Sequence, residues 1–386
     1  MTARSVARGL VLISLALSLQ FLPSAASGQP NRASAPDANA NWTQFHFSAD
    51  HKGVNPLETI LDSSNVSGLH EVWTGMTEDM FGLASPVVAR GIAYIGSYDG
   101  HLYAFDAVTG DLLWRAGTGD IREATPAVAG GMVFSLVIGG GLSAFDADNG
   151  RFRWRIQTSA SISSPTVAGG KVFVGGTSVE AHDLASGALL WSTPLPENTV
   201  ASVSAKNDRL FAVGGHFVYS LDAETGAIVW QKNIDVFQVS SPAIANGIVY
   251  VGDFSSGFVW ALRAGNGSVA WKFDTQGGLP DSSPAVVDGV VYIGDYSHDA
   301  VWALNAETGA RIWKSTGGGS QGSVSVANGV VYAASYWGNT IYAFDATTGV
   351  KLWSSPLPGH SQSTPAIVNG MVYVGADDGG LHAFSL

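Results

Sequence analysis

SSPAIANGIVYVGDFSSGFVWALRAGNGSVAWKFD, residues Ser240 to Asp274, reads as four short strands joined by tight turns. SPAIA begins with Pro242, where a missing backbone N–H disturbs a strand least. Asn246-Gly247 is a two-residue hairpin signal, because both residues tolerate the positive φ that such turns require. IVYVG is the second strand, and Asp253 to Gly257 loops to FVWAL, the third. Gly265-Asn266-Gly267 then turns the chain into SVAWKF. Four antiparallel strands in about 40 residues is the content of one propeller blade.

The same unit recurs along the 386-residue chain. Trp73, Trp114, Trp154, Trp191, Trp230, Trp271, Trp313 and Trp353 fall about 40 residues apart. Such a period marks one supersecondary unit copied many times. Proline opens the first strand at Pro86, Pro126, Pro165, Pro242, Pro284 and Pro365, and glycine turns precede the last strand from Gly110 to Gly349. The final unit, STPAIVNGMVYVGADDGGLHAFSL, stops after three strands, whereas the first tryptophan, in LHEVW (Leu69 to Trp73), has no three strands ahead of it. An N-terminal strand that completes the C-terminal blade pairs both free edges. The expected fold is therefore all-β: an eight-bladed propeller of four-stranded antiparallel blades, closed by that strand over residues 69–386.

Composition narrows the function. Nineteen Lys and Arg against 31 Asp and Glu give a net charge of −12, opposite to the cationic footprint that nucleic acid requires. Arg4 and Arg8, the apolar run Gly9 to Leu22 and the small residues at Ala25 to Gly28 follow the order of a secretory signal. Residues 1–28 are thus expected to be a signal peptide cleaved between Ala26 and Gln29, giving a secreted or periplasmic chain with no membrane span when mature. Residues 29–68 read as a flexible leader and N-terminal extension, with Trp42, Phe45, Leu57, Ile60 and Leu61 as anchors crossing one face or the side of the repeats. The absence of cysteine excludes disulfides, thiolate chemistry and lipid attachment through an N-terminal cysteine.

The segment AFDAVTGDLLW (Ala104 to Trp114) returns as AFDADNGRFRW, SLDAETGAIVW, ALNAETGARIW and AFDATTGVKLW, ending at Trp154, Trp230, Trp313 and Trp353. It resembles the tryptophan-docking motif of the pyrroloquinoline quinone (PQQ) repeat family, in the quinoprotein alcohol dehydrogenase-like superfamily. The resemblance covers residues 69–386 and implies eight blades. It also implies a spread of functions, from cofactor-dependent dehydrogenases to outer-membrane assembly scaffolds. The tryptophans themselves read as wedges between blades, each burying roughly 150–250 Å². Asp106, Asp146, Asp222 and Asp345 read as acceptors within their own turns.

Function is expected on one face. In an up-and-down blade, the loop entering the first strand and the loop between the second and third strands share a side, here called the loop face. The Asn-Gly and Thr-Gly turns lie on the opposite, turn face. The loop face supplies the candidate ligand or partner residues Arg122, Glu123, Gln238, Asp281, Asp295, Tyr296, His298, Tyr336, Trp337 and Gln362. Aromatics beside carboxylates and amides suit a small polar ligand, a sugar or a peptide. Asp295, His298 and Asp299, like Asp377 with Asp378, read as solvated turns, and no metal site is assigned.

These features point to an exported, non-catalytic binding or scaffold propeller. Its partner would be an envelope or extracellular protein, a peptide or a glycan, with no nucleic acid involved and the oligomeric state open. No cofactor is assigned. The alternative that the resemblance implies is a dehydrogenase using PQQ and calcium to oxidise an alcohol or sugar. The family's adjacent-cysteine ceiling over the quinone is missing here, and Arg122 alone could meet a PQQ carboxylate. A hydrolase or lyase would need Glu123, Asp281 and His360 to converge.

Overall fold

The computed structural model describes residues 41–119, 124–137, 139, 141–160, 163–199, 201–234, 240–253, 255–276, 282–319 and 321–386. These residues fall in one compact unit, Pro36–Leu386. They form eight consecutive antiparallel sheets of one pattern. Blade 1 comprises Val87–Ala89, Ile92–Gly96, His101–Asp106 and Leu112–Gly117. The inner strands of blades 2 to 8 start at Ala127, Thr166, Ser204, Ala243, Ala285, Ser325 and Ala366. The N-terminal strand His70–Met76 pairs with Gly380–Ser385 and completes blade 8, with Trp73 opposite Ala383 and Thr74 opposite His382. The eight-bladed propeller and its closure are as the repeat requires.

Burial follows the sequence pattern. Second strands such as Ile92–Gly96 are buried throughout, because both their faces pack against neighbouring blades, whereas fourth strands such as Leu112–Gly117 are partly or largely exposed. The register slips one residue just before Trp114, Trp154, Trp191, Trp230, Trp271, Trp313 and Trp353. A bulge re-aims the side chain that follows it, and here it tips each indole onto the next blade. A Cβ on Gly226 would lie 2.5 Å from the Trp191 ring, and the φ of 75° there also favours glycine. Most indole N–H groups donate to the carbonyl beside that next turn: Trp230 to Ala264 at 2.8 Å, Trp271 to Ala306 at 2.9 Å and Trp313 to Ala346 at 3.0 Å. Trp353 donates across the ring closure to Leu69 at 2.8 Å. The motif carboxylates take up turn amides, as Asp345 does from Thr347 and Thr348.

Two features close the axis. The first is a circle of hydroxyls two residues ahead of each inner-strand start. The N–H of Ser85 donates to Thr125 Oγ1, Thr125 to Ser164, Ser164 to Ser202 and Ser202 to Ser241. Ser241 continues to Ser283, Ser283 to Ser323 and Ser323 to Thr364, and Thr364 returns to Ser85 Oγ. Eight bonds of 2.9–3.1 Å thus join all eight blades head to tail.

The second is a strap formed by residues 42–55, which meets the middle residue of every inner strand in chain order. Trp42 exchanges both backbone bonds with Val88, Thr43 O accepts from Val128, and the Gln44 side chain accepts from Val167. Carbonyls of Ala49, Asp50, Lys52 and Gly53 then accept from Ala205, Ile244, Val286 and Val326. Asn55 Nδ2 completes the circuit at Ile367 O, 2.7 Å away. Val54–Asn55 also adds a short parallel strand inside blade 7. Inner-strand edges that would otherwise present unpaired backbone to the axis are therefore capped by the chain itself. Trp42 and Leu61 are buried, Phe45 lies against the rings of His46 and His51, and Leu57 and Ile60 are exposed.

Candidate functional site

The loop face gathers one aromatic cluster across blades 6, 7 and 8. Tyr296 leaves the second strand of blade 6, Tyr336 and Trp337 leave the second strand of blade 7, and His360 enters blade 8. Tyr296 lies 5.5 Å from Tyr336 and 5.3 Å from Trp337 between ring centroids. Tyr336 meets Trp337 edge-on at 5.2 Å and stacks on the His360 imidazole at 4.4 Å. Trp337 Nε1 donates to Tyr296 O at 3.1 Å, and His360 Nδ1 contacts Tyr336 O at 2.8 Å. These bonds hold the rings in place, yet Trp337 remains 60% exposed. Next to it, Asp377 N donates to His360 O, and burial raises the Asp377 carboxyl above its ordinary pKa despite the pull of His360.

The other candidates separate by role. Asp295 is fully buried: its carboxylate accepts from Trp302 Nε1 at 2.9 Å and faces His298 Nδ1 at 2.8 Å. It braces the base of the loop that carries Tyr296. Asp299 accepts from Gly319 N and Ser335 Oγ and ties blade 6 to blade 7. Gln362 Nε2 donates to Gln321 Oε1 at 2.5 Å, on the same side. Arg122, Glu123, Gln238 and Asp281 lie outside the described residues. Among the described residues no three His, Asp or Glu side chains converge as a cation site.

Residues 66–202 and 175–386 match, in two overlapping stretches, the protein family described as outer membrane protein assembly factor BamB. The chain belongs to this family. It is a PQQ-like propeller of the quinoprotein superfamily, and the BamB-family likeness extends to solved structures. BamB from Moraxella catarrhalis superposes with a TM-score of 0.64 at 16% identity, covering 82% of this chain and all of that one. A europium-containing methanol dehydrogenase superposes with a TM-score of 0.76 at 15% identity, covering 90% and 98%. At such identities the likeness is one of fold. Tetrathionate hydrolase of Acidithiobacillus ferrooxidans is 27% identical over 219 residues, 56% of this BamB-family chain. The chain's match spans 42% of that curated relative's length. No helix among the described residues is long and apolar enough to cross a membrane.

Tyr296, Tyr336 and Trp337 stand among the loop-face candidates that the sequence offers, and His360 falls in an entering loop of the same face, but its stacking on Tyr336 is visible only in the structure. The available signal was positional: Tyr296 and Tyr336 occupy the same loop position in consecutive blades, so they had to be neighbours.

Proposed function

We propose that this BamB-family chain is an exported, non-catalytic binding propeller whose loop face docks an envelope protein or peptide through Tyr296, Tyr336, Trp337 and His360. The supporting observation is that these rings form one continuous cluster over three blades with the Trp337 indole facing solvent. Rigid aromatics lose little side-chain entropy on binding and dominate interface energetics. Asp377 and Asp378 beside the cluster favour a partner with basic residues at its rim. The outer-membrane assembly description of the family agrees with a protein partner in the envelope. Export rests on the signal-like order of residues 1–28, and amino-terminal sequencing of the secreted chain tests it.

A photo-crosslinking residue at position 337, used in intact cells, tests the docking reading. A discrete adduct from position 337 is expected, absent from position 108 on the turn face and lost on Tyr336→Ala. Equal labelling from both positions, or none from 337, would sink it.

Support for a quinone with its cation is lacking among the described residues. The strap runs along every inner strand, and no group of three His, Asp or Glu side chains among the described residues is placed to hold a metal ion. No reaction step is therefore derived through such a group. A hydrolytic reading takes its support from the tetrathionate hydrolase relative, with Glu123, Asp281 and His360 as the candidates. His360, however, is engaged by Tyr336 through both its ring face and Nδ1. Loss of tetrathionate on incubation with the purified chain, abolished by His360→Ala, would favour that reading over docking.

A further inference from the structure

The turn face carries a cavity of about 770 Å³ between the strap and blades 4, 5 and 6. Phe47 and Val54 of the strap line one side, and Phe211, Ile244 and Val286 line the blade side. Set into this apolar lining are three cations, Lys52, Lys206 and Arg209. Lys206 and Arg209 are cross-strand partners flanking the two-residue turn of blade 4, so both head groups serve the same stretch of wall.

The charges near the wall are unevenly matched. Lys206 Nζ and Lys52 Nζ both reach Asp50 Oδ2, at 2.7 Å and 3.6 Å, so two ammonium groups share one largely buried carboxylate. Asp50 is correspondingly held below the usual carboxylate range: burial opposes this, and the Lys206 and Ser48 hydrogen bonds with the nearby Lys charges outweigh it. Arg209 stands opposite Asp222 in the strand register. The Thr225 hydrogen bonds first, and the Arg209 charge in addition, hold that carboxyl below the ordinary range, but Asp222 Oδ1 takes its hydrogen bonds from Glu224 N, Thr225 N and Thr225 Oγ1. Arg209 Nη1 is buried and meets no hydrogen-bond acceptor among the described residues. A buried guanidinium N–H without an acceptor is a vacancy that a carboxylate oxygen would fill. Asp208 and Asp288 stand exposed at the mouth and oppose a second negative charge.

We propose that this cavity is a binding site for a small organic monoanion. Its carboxylate would sit against Arg209 and Lys206, and its hydrocarbon body against Phe211, Ile244 and Val286. The site lies on the opposite face from the aromatic cluster and does not depend on the docking function proposed above. Apolar contact selects against bare inorganic anions, and the mouth carboxylates select against dianions.

Calorimetric titration of the full chain with hexanoate, hexan-1-ol and sulfate tests this. Hexanoate is expected to bind in preference to both others, with affinity falling as salt rises. Arg209→Met and Lys206→Met should each weaken hexanoate at least tenfold, with far-UV circular dichroism showing that both variants stay folded at the assay temperature. Trp337→Ala should leave hexanoate binding unchanged, which separates this site from the loop face. Absence of hexanoate binding, equal binding of hexan-1-ol, or wild-type affinity in both cavity variants would overturn the proposal.

Discussion

The backbone N–H of Thr364 donates to Ser85 Oγ at 2.9 Å, joining the last inner strand to the first. The same bond type recurs at every other blade boundary, so the closing junction is held as the internal ones are. Ser85→Ala removes this acceptor and leaves a buried amide unpaired, a loss of about 1–3 kcal/mol. Ser241→Ala should cost a similar amount, since Ser202 N loses the equivalent bond. Urea midpoints check both. A much larger loss for Ser85 would mean that the closure is the weakest boundary.

The docking tryptophans differ in one atom's partner, which permits a matched comparison. Trp230 Nε1 donates to Ala264 O at 2.8 Å, whereas Trp154 Nε1 is buried without a partner among the described residues. Both rings pack on the glycine of the following turn, Gly267 and Gly187. Trp→Phe at either site removes similar ring area, but only at Trp230 does it also break a hydrogen bond. Trp230→Phe should therefore be the more destabilising by about 1 kcal/mol, read from paired denaturation curves. Gly226→Ala should be worse than a simple loss of turn freedom, because its Cβ would collide with Trp191.

His46 and His51 sit in the strap, fully buried, with burial the main reason that their pKa values fall to about 4 and about 3. The unfolded chain binds a proton at each near pH 6.5. Folded-state pKa values below the unfolded value mean that stability is fully present above pH 6.5 and is lost as the pH falls toward the folded values. Between pH 7 and 5 the carboxylates with lowered pKa values stay ionised, so the histidines dominate the slope there. A loss on the order of 2 kcal/mol per histidine is expected at pH 5. Denaturant titration at the two pH values, with His46→Gln and His51→Gln each flattening the dependence, checks the assignment. A parallel slope in both variants would contradict it.

The legible parts of this fold are those where one residue type meets the same neighbour in every copy. Each Trp and the glycine of the next turn form such a pair, so the sequence alone identifies both, and the partial last unit implies Leu69–Trp73 as its missing strand. The hydroxyl circle left a trace too, in Ser-Pro or Thr-Pro at six blade entries and in Ser202 and Ser323 at the other two. That trace is hidden because proline already accounts for the conserved-looking position within the chain. The strap has no period at all. Its contacts use the carbonyls of Thr43, Ala49, Lys52 and Gly53, which any side chain would offer, so only the structure locates it. The cavity is equally silent in sequence, since Lys52 and Lys206 meet at Asp50 from segments far apart in the chain.

Because the strap touches every blade, its anchor should act on the whole ring rather than on one blade. Trp42 is buried and exchanges two backbone bonds with Val88, and its indole packs edge-on against Phe47 at 5.4 Å. Trp42→Ala leaves the backbone bonds formally possible but removes the side chain that fixes the strap's entry. Large-to-small replacement of a buried tryptophan costs about 3–5 kcal/mol. Hydrogen exchange distinguishes local from ring-wide loss. If the strap detaches as a unit, the amides of Ala205, Ile244, Val286 and Val326 should lose protection together, although they lie in four other blades. Deprotection confined to Val88 would instead show that each strap contact holds independently.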